Sequence, residues 1–357
     1  MREAGIINVT DCLARPASYD AIIDVRSPAE YALDHLPGAI NLPVLDDAQR
    51  AIVGTLHAQD SAFVARRVGA ALVSRNIATI LSDQLGDKPA TWRPVIYCWR
   101  GGNRSMSLAT VLARIGWPTA VIDGGYRSYR RWVVSAIETS APTLQWHVIA
   151  GRTGSGKSRI LRALADQGAQ VLDLEALANH RGSVLGLLPD QTQPTQKHFE
   201  SRLIEAMMRL DRSRPVFVES ESRRIGVVQL PESVILQIRQ APCLVIDLPI
   251  DDRAAFLMLD YPHFLQNPHA LRVRLDRLHE MHGAKRLAAW QALIDAGDWP
   301  SLVRALLEEH YDPAYDRSMR RNFAQLATAR HITLNPGNTP IEQCFSAAAQ
   351  RIIELTG

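Results

Sequence analysis

The stretch Val95-Ile96-Tyr97-Cys98-Trp99-Arg100-Gly101-Gly102-Asn103-Arg104-Ser105 decides the fold of the first part of the chain. Its apolar residues predict a short buried strand that ends on Cys98, and Ser105 begins a run typical of a helix. The loop between them contains two glycines and two arginines. Such a loop turns backbone N–H groups toward the sulfur, and the helix N-terminus with Arg100 and Arg104 favours the thiolate. Cys98 is therefore predicted to be reactive rather than a buried structural cysteine.

Outward from this loop, short apolar segments alternate with stretches of helical periodicity. Residues 21–26 and 119–123 predict strands. Ser27-Pro28-Ala29-Glu30 is typical of a helix start, with a capping serine, a proline and an acid in the first turn. Residues 60–82 predict a helix with an apolar stripe at Phe63, Val64, Val68, Ala71, Leu72 and Ile77. Strands alternating with helices predict a parallel α/β sheet with the Cys98 loop at a strand's carboxyl end.

A second motif, Gly151-Arg152-Thr153-Gly154-Ser155-Gly156-Lys157-Ser158, matches the P-loop pattern G-x-x-x-x-G-K-[ST]. It follows an apolar strand at 146–150 and precedes a helical run at 159–167, which is the context that the motif requires. The glycines let backbone N–H groups surround a diphosphate, Lys157 neutralises its charge, and Ser158 can ligate Mg²⁺. This part of the chain is therefore predicted to bind a diphosphate group.

Acidic residues at the ends of later strands are candidates for the acid that assists a P-loop by holding the metal or its water. Further strands are predicted at Ala169–Leu174, Pro215–Glu219, Leu244–Leu248 and His331–Leu334. The acidic strand ends are Asp173 with Glu175, Glu219 with Glu221, and Asp247. Glu219 is favoured and Asp173 is an alternative, although an acid at a strand end is often only a helix cap. These strands predict a second parallel α/β unit, of the P-loop NTPase type.

A helical, locally basic segment is predicted between about residues 253 and 325, inside this second unit. Aromatic residues such as Tyr261, Phe264 and Trp290 are interleaved with its cations. The candidate nucleic-acid contacts are Arg272, Arg274, Arg277, Lys285 and Arg286. Cations beside aromatic rings suit phosphate contacts and base stacking. Taken alone, however, the pattern is more typical of a solvated helix face over buried aromatics.

Composition and charge exclude several classes of protein. The chain has 46% hydrophobic and 22% charged residues and a net charge of only +3, so a polyanion site must come from local clustering. No apolar run is long enough to span a bilayer and the N-terminal residues lack a signal-peptide pattern, so we expect a cytoplasmic protein without membrane contact. The four cysteines, Cys12, Cys98, Cys243 and Cys344, form no CxxC pair, which argues against a zinc site or disulfide framework.

Three features of residues 1–140 together resemble a rhodanese domain. They are Asp24-Val25-Arg26, the residues Glu30-Tyr31 followed by His35-Leu36-Pro37-Gly38-Ala39-Ile40-Asn41-Leu42-Pro43, and the Cys98 loop. A break at 138–143 separates this domain from the P-loop domain, predicted at 143–357. The sequence therefore predicts an N-terminal rhodanese-like parallel sheet domain followed by a P-loop α/β domain.

The combination of both domains is similar to the bacterial tRNA 2-selenouridine synthases over nearly the full chain. Further motifs that carry the resemblance are Asp123-Gly124-Gly125-Tyr126, Asp173-Leu174-Glu175, His180-Arg181-Gly182-Ser183 and Tyr311-Asp312-Pro313. Members of this family replace the sulfur of 2-thiouridine at the tRNA wobble position with selenium from selenophosphate. The resemblance implies an S-geranylated intermediate made from geranyl diphosphate.

The resemblance also implies roles for both loops. Cys98 is expected to handle selenium, as thiolate or perselenide carrier, with Arg100, Gly101, Gly102 and Arg104 around the selenophosphate anion. The P-loop residues Gly151, Thr153, Gly154, Ser155, Gly156, Lys157 and Ser158 are expected to bind the diphosphate of the prenyl donor. The implied partners are tRNA with 2-thiouridine at the wobble position and a selenophosphate synthase that supplies the donor. No tightly bound cofactor is expected.

Alternatives from the residues themselves stay open. A rhodanese sulfurtransferase fused to an ATP-dependent small-molecule kinase would use the same two loops without tRNA. A non-catalytic tRNA-binding adaptor would use them only to dock phosphates. The spacing from Cys98 to Arg104 also matches the C-x5-R loop of cysteine phosphatases. Tyr97 stands where those enzymes usually have histidine and no general-acid aspartate follows, which disfavours a phosphatase.

Overall fold

The computed structural model describes residues 2–182 and 192–356, and these form two compact units. The first unit comprises the residues up to Ala136 together with Thr195–Glu205, and the second begins at Ile137 and contains the other described residues. The sequence division assigned everything after residue 143 to the second domain. The structure instead groups Thr195–Glu205 with the first unit, where the Ser201 hydroxyl donates to the buried carboxylate of Asp34 at 3.1 Å.

Five parallel strands form the sheet of the first unit, in the order β1-β5-β4-β2-β3. The strands are β1 Gly5–Ile7, β2 Ala21–Asp24, β3 Ala39–Asn41, β4 Pro94–Tyr97 and β5 Ala120–Ile122. The helices are α1 Val9–Ala14, α2 Pro28–Leu33, α3 Asp47–Gln59, α4 Ala62–Gln84, α5 Asn103–Ile115 and α6 Gly125–Ser140. The central strand β4 is buried along its whole length. The predicted parallel α/β sheet with a buried strand leading into Cys98 is therefore confirmed.

The helix predicted over residues 60–82 exists as α4, but its buried face differs from the predicted stripe. Phe63 is 67% exposed, and the buried residues are Ala65, Gly69, Val73, Ile77 and Ile80. Gly69 faces α3, where a Cβ on this glycine would lie 3.4 Å from a methyl carbon of Val53. Small residues let α3 and α4 approach closely, and a pattern built on large apolar side chains overlooks such a face.

A second sheet of five parallel strands forms the second unit, in the order β12-β11-β6-β8-β7. The strands after residue 143 are β6 Gln145–Ala150, β7 Gln170–Val171, β8 Pro215–Glu219, β9 Arg224–Ile225, β10 Val228–Gln229, β11 Cys243–Asp247 and β12 Arg330–Thr333. β9 and β10 form a separate antiparallel pair. The five parallel strands lie where the sequence predicts strands, which confirms a P-loop-type α/β unit.

Helices surround this second sheet. They are α7 Lys157–Asp166, α8 Leu174–Ala178, α9 Gln196–Met208, α10 Glu232–Gln240, α11 Ile250–Asp260, α12 Pro262–Gln266, α13 Pro268–Leu275, α14 His279–Ala296, α15 Trp299–Leu306, α16 Asp312–Asn322 and α17 Ile341–Thr356. Most of α9 belongs to the first unit. Helices α11 to α16 fill the segment predicted to be helical and pack around a core that includes Trp290. Among the described helices, none is both long and apolar enough to cross a membrane.

A buried ion pair closes the carboxyl end of β2 in the first unit. The guanidinium of Arg26 donates to both carboxylate oxygens of fully buried Asp24 at 2.6–3.0 Å. Arg26 also donates to the carbonyl of Asp34 at 2.7 Å, and its guanidinium carbon lies 3.9 Å from the ring centroid of Tyr126. Two charges are stable away from water here because paired hydrogen bonds and an aromatic face replace their hydration.

We expect Asp24→Ala to destabilise the first unit by about 3–5 kcal/mol, because the change leaves the Arg26 charge buried without its partner. The surface pair of Asp20 and Arg93 provides a matched control. Asp20→Ala should leave the unfolding midpoint almost unchanged, since the side chains of Asp20 and Arg93 are both exposed to solvent. Urea unfolding followed by near-ultraviolet circular dichroism measures both variants, and equal midpoints would contradict the role given to the buried pair.

Candidate active site

The Cys98 loop begins at the carboxyl end of β4 and packs against the turn Gly124-Gly125 that leads into α6. The backbone N–H of Tyr126 donates to the carbonyl oxygen of Cys98 at 2.8 Å. Gly125 has a φ of +53°, and a Cβ at this position would lie 2.3 Å from the same carbonyl oxygen. The close approach of the two turns therefore requires glycine at 125, and it fixes the backbone that carries the sulfur.

Hydrogen-bond donors surround the buried sulfur of Cys98. Burial opposes ionisation, but the Ser105 hydroxyl and the backbone N–H groups of Ser105 and Arg100 outweigh it. With the charge of Arg104 they hold the pKa of Cys98 below its ordinary value. The Ser105 oxygen lies 3.2 Å from the sulfur and 3.1 Å from the Gly102 carbonyl oxygen. Its proton can turn to the sulfur once Cys98 is a thiolate, a role that the sequence reasoning did not assign to Ser105.

The two arginines of the loop differ in their partners. Arg104 donates to the carboxylate of Glu30 at 2.6 and 3.3 Å, and Glu30 also closes a capping box with Ser27 at the start of α2. Arg100 is exposed, and among the residues that the structure describes no carboxylate forms an ion pair with it. Arg100 is thus available to an incoming anion, whereas Arg104 is held in place by a residue from another part of the sequence.

The two glycines of the loop shape its backbone around the sulfur. Gly101 has a φ of +67°, and a Cβ there would lie 2.8 Å from the carbonyl oxygen of Ile122. Gly102 is the N-cap residue of α5. The sulfur therefore faces the N-terminus of a helix of thirteen residues, whose unpaired N–H groups favour a negative charge.

The P-loop of the second unit joins β6 to α7 and has the backbone that its motif requires. Gly154 and Gly156 have φ values of +82° and +80°. A Cβ on Gly156 would lie 2.2 Å from the ring of Phe345 in α17, so the packing of this distant helix also requires glycine. The Lys157 ammonium donates to the carbonyl oxygen of Gly151 at 2.7 Å. The loop thus has the shape that surrounds a diphosphate with backbone N–H groups.

Tyr315 of α16 forms a wall of the P-loop that the sequence reasoning missed. Its hydroxyl accepts from the backbone N–H of Gly151 at 2.7 Å and lies 3.0 Å from the Ser220 hydroxyl. The Lys157 nitrogen lies 5.5 Å from the centroid of its ring. Tyr315 follows the motif Tyr311-Asp312-Pro313 by two residues, and no local pattern connects it with a loop so far away in sequence.

Carboxylates gather around Lys157 and Ser158. The Ser158 hydroxyl donates to Glu175 at 2.9 Å, and the backbone N–H of Glu175 donates to Glu219 at 2.8 Å. Asp173 caps α8 by accepting from a backbone N–H at 2.8 Å, which is the helix-cap alternative weighed from the sequence. The carboxylate that contacts Ser158 is therefore that of Glu175, and Glu219 lies behind it.

The glutamates of this cluster hold protons more tightly than ordinary carboxylates. Burial and the neighbouring carboxylates raise the pKa of Glu219 well above its usual range, and burial with the charge of Glu221 raises the pKa of Glu175. Burial lowers the pKa of Lys157, and the charge of Glu175 opposes that shift. Burial and the closeness of the carboxylates to one another are therefore what disfavour their charged forms here.

The oxygen donors beside Ser158 fit a hard cation such as Mg²⁺. One carboxylate oxygen of Glu219 is buried and has no hydrogen-bond partner among the described residues, close to the Ser158 and Glu175 pair. In residues 2–182 and 192–356, no group of three or more His, Cys, Asp and Glu side chains forms a complete metal site. Mg²⁺ commonly binds one or two protein oxygens and completes its coordination shell with water and substrate phosphates. The oxygens of Ser158, Glu175 and Glu219 could provide such partial coordination.

Two adjoining cavities lie beside the P-loop. The larger, of about 440 Å³, is lined by the P-loop and by polar and aromatic side chains. The smaller, of about 70 Å³, is lined mainly by apolar side chains of α11, α12, α13 and α15, such as Phe264. Both cavities share Thr153, Leu257, Tyr261 and Tyr311. An anion site and an apolar pocket therefore meet at these four residues.

The motif His180-Arg181-Gly182-Ser183 contributes to the larger cavity, although Ser183 lies outside the described residues. Arg181 donates to the side chain of Asp260 at 2.9 Å, and its guanidinium carbon lies 4.8 Å from the ring centroid of Tyr261. Gly182 has a φ of +64° and lies against the carboxylate of Glu221. The motif thus connects the carboxylate cluster with the aromatic wall.

The candidate tRNA contacts of the helical segment have different surroundings. Arg272 pairs with Asp295, and Arg286 pairs with Glu309 at 3.0 Å. The exposed members are Arg277, Lys285 and Arg286. The guanidinium carbon of Arg274 lies 5.0 Å from the ring centroid of Phe264.

Two of the aromatic residues of this segment are too deeply buried to stack on bases. Phe264 and Trp290 are almost completely buried and belong to the core of the helical segment. This agrees with the plainer interpretation of the pattern, in which cations solvate a helix face above buried aromatics. Contact with tRNA through these cations stays a prediction.

Two protein-family models match the chain. The model described as a Rhodanese-like domain matches residues 9–131, and the model described as the tRNA 2-selenouridine synthase AAA domain matches residues 144–333. Cys98 lies within the first match and the P-loop within the second. Both domains that the sequence pattern suggested are therefore recognised independently of the site geometry.

Similar curated proteins cover most of the chain. The tRNA 2-selenouridine synthase of Nitrosomonas europaea is 36% identical over 259 residues, which are 71% of this chain and 67% of that protein. The tRNA 2-selenouridine synthase of Sulfurovum sp. is 31% identical over 338 residues, which are 85% of this chain and 90% of that protein. A solved rhodanese-related protein from Thermoplasma volcanium is similar to 36% of this chain and 91% of its own, with 18% identity and a TM-score of 0.24.

We expect Ser105→Ala to slow the alkylation of Cys98 by iodoacetamide about tenfold at neutral pH, because the thiolate loses its hydroxyl donor. Burial raises the pKa of Cys12 and Cys243 to about 11, so both react slowly. Cys344 is changed to serine throughout to remove its background reaction. Rates are measured by mass spectrometry across the pH range in which the thiolate forms.

Ser107→Ala is the matched control for this experiment. Ser107 lies in the same helix turn but donates to the carbonyl oxygen of Asn103. The alkylation rate of Ser107→Ala should depend on pH as that of the parent protein does. In Ser105→Ala, the alkylation rate should rise only at higher pH. Coinciding profiles for all three proteins would show that Ser105 does not stabilise the thiolate.

Proposed function

Because the chain belongs to the tRNA 2-selenouridine synthase family, we propose that it replaces the sulfur of 2-thiouridine at the tRNA wobble position with selenium from selenophosphate. The observation that carries this proposal is the Cys98 loop, in which Ser105 and backbone N–H groups favour a thiolate within a rhodanese-like domain. Such a thiolate is the natural group to handle a chalcogen donor. Exposed Arg100 supplies charge for the phosphate part of that donor.

We further propose that the second unit prepares the uridine by transferring a geranyl group from geranyl diphosphate to its sulfur. A thiocarbonyl sulfur is a poor leaving group, whereas its S-alkylated form departs as a thiol. In the transfer, the bond from sulfur to the first geranyl carbon forms while the carbon–oxygen bond to diphosphate breaks, and the uridine N3 loses its proton. Backbone N–H groups of the P-loop and Lys157 stabilise the diphosphate as it leaves.

The apolar cavity supports a prenyl donor over a nucleotide. It opens from the diphosphate cavity at Thr153, Leu257, Tyr261 and Tyr311, where the organic part of a bound diphosphate ester would begin. Burying hydrocarbon there gains about 0.8 kcal/mol for each CH₂ group. The hydroxyl groups and ring nitrogens of a nucleoside would lose water without new partners, at about 1–3 kcal/mol each. An alkyl diphosphate is therefore better supported than ATP.

Mg²⁺ is part of the proposal only at the P-loop. Ser158, with Glu175 or Glu219, would hold it together with the donor phosphates, and it would neutralise charge on the leaving diphosphate. We propose no other tightly bound cofactor. The proposed partners are thiolated tRNA and a selenophosphate synthase as supplier, and the proposed location is the cytoplasm, where free thiols such as Cys98 stay reduced.

The alternative functions predict other products. A sulfurtransferase fused to a kinase would hydrolyse ATP or transfer its phosphate without tRNA, and an adaptor would bind tRNA in a salt-dependent manner without changing it. Nucleoside mass spectrometry on thiolated tRNA with enzyme, geranyl diphosphate and selenophosphate distinguishes them. A selenium-for-sulfur mass shift on the wobble uridine supports the proposal, and its absence from wild-type reactions would overturn it.

We expect Cys98→Ala to abolish selenation while geranylation of thiolated tRNA survives, because the thiolate is needed only for selenium. Lys157→Ala should lower kcat/KM for geranyl diphosphate about a hundredfold, since it removes a charge that stabilises the leaving group. It should leave the alkylation rate of Cys98 unchanged. Both products are counted by mass spectrometry of digested tRNA, and equal loss of both steps in folded Cys98→Ala would refute this division of labour.

We expect Val303→Phe, which fills the apolar cavity, to raise the KM for geranyl diphosphate about tenfold or more. Its affinity for inorganic diphosphate, measured by calorimetry, should stay at the wild-type value because the P-loop is untouched. Val273→Phe adds the same bulk to an exposed position of α13 and is the control. If Val303→Phe and Val273→Phe bind geranyl diphosphate equally well, the cavity does not hold the prenyl chain.

A further inference from the structure

An exposed indole stands on the cysteine loop, directly after the reactive residue. Trp99 is 37% exposed although Cys98 beside it is almost completely buried. Its carbonyl oxygen accepts from the backbone N–H of Arg127 at 3.0 Å, and its ring centroid lies 5.3 Å from that of Tyr126. Tyr126 in turn donates its backbone N–H to Cys98. The indole is therefore held in a fixed position relative to the sulfur while part of its surface faces solvent.

Four exposed cations belong to the segments that carry or contact this indole. Arg100 follows it in the loop, and the Lys197 nitrogen, from the segment of α9 grouped with this unit, lies 5.8 Å from its ring centroid. Arg127 and Arg131 lie in the first turns of α6, and Arg131 reaches the Gly124 turn behind the loop. All four are exposed, and within the described ranges none forms an ion pair with a carboxylate. Arg104 and Arg130, by contrast, are paired with Glu30 and Glu200.

We propose that the outer face of the cysteine loop is a nucleotide-binding surface, in which a base of the RNA substrate stacks on Trp99 and Arg100 and Lys197 hold the flanking phosphates. This inference rests on the proposed function, since it takes tRNA as the substrate. A small anion alone would need the cations and the N–H groups of the loop, but it would not need an indole kept partly in water. An aromatic face combined with cations is the arrangement that binds single-stranded nucleic acid.

The same surface can position the reacting uridine. A base is extruded from its stack before chemistry can reach it, and an aromatic platform replaces the lost stacking. Because Trp99 and Cys98 are adjacent and both are tied to Tyr126, a base stacked on the indole has its edge close to the sulfur-bearing loop. The cations and aromatic residues of segment 253–325 stay a separate prediction, and the cysteine loop adds a place where the aromatic residue is exposed.

Trp99→Ala tests this role. We expect the KM for thiolated tRNA, and the Kd for an anticodon stem-loop RNA, to rise about tenfold to a hundredfold, because stacking of one base is lost. Trp99→Phe should restore most of the affinity, since phenylalanine keeps an aromatic face. The alkylation rate of Cys98 should be the same in all three proteins. Phe63→Ala, which removes an exposed aromatic ring from α4 of the same unit, is the control and should bind RNA normally.

Lys197→Ala tests the proposed contact between the cations and the RNA phosphates. We expect weaker RNA binding at low salt and a shallower dependence of affinity on salt, because one phosphate contact is lost, and Lys197→Arg should behave as the wild type. The inference would be overturned if Trp99→Ala bound RNA as well as Phe63→Ala does. It would also be overturned if slower Cys98 alkylation in Trp99→Ala accounted for its whole loss of activity on tRNA. Binding is measured on RNA without turnover, so a wild-type protein that binds RNA but forms no selenouridine refutes only the proposed function.

Discussion

The buried pair of Asp24 and Arg26 is the interaction on which the cysteine site depends. The pair closes the end of β2, which lies beside β4 with Asp24 opposite Tyr97, one residue before the reactive cysteine. Arg26 stacks on Tyr126, and the backbone of Tyr126 holds the carbonyl of Cys98. The buried ion pair thus fixes the position of the loop that carries the Cys98 thiolate. Burying the two charges costs free energy, but it makes the loop rigid, so that backbone N–H groups stay directed at the Cys98 sulfur.

The conformation of the P-loop also depends on residues that are far from it in sequence. Phe345 of α17 occupies the space that a side chain on Gly156 would need, and Tyr315 of α16 takes the hydrogen bond of Gly151. Local sequence gives the loop its glycines, but elements from near the end of the chain hold its conformation. Other residues, Leu257 and Tyr261 among them, bring the apolar cavity to the mouth of the loop, and these are the surroundings that the proposed prenyl donor needs.

Patterns that act within a few residues were predictable from the sequence, and contacts between distant segments were not. The capping box of Ser27 and Glu30, the strand before Cys98 and the P-loop all follow from short-range spacing. The pairing of Arg104 with Glu30 and the return of Lys197 to the first unit depend on tertiary packing, for which the chain carries no local signal. The exposed Phe63 of α4 was mispredicted for a related reason, since Ala65 and Gly69 share the packed face with larger residues such as Val73, and a pattern of large apolar side chains does not mark the small ones.

The two anion sites differ in how their charge is balanced, and this bears on how they act together. Within the described ranges, Arg100, Arg127 and Lys197 beside the cysteine loop form no ion pair with a carboxylate, so anion binding there should weaken as salt screens them. Lys157 instead lies among buried glutamates, so its charge is partly balanced before any anion binds, and the neutral N–H groups of the P-loop add to it. The two sites therefore differ in local charge, although both occur in a chain of net charge +3. Local charge, rather than the total, separates the two tasks.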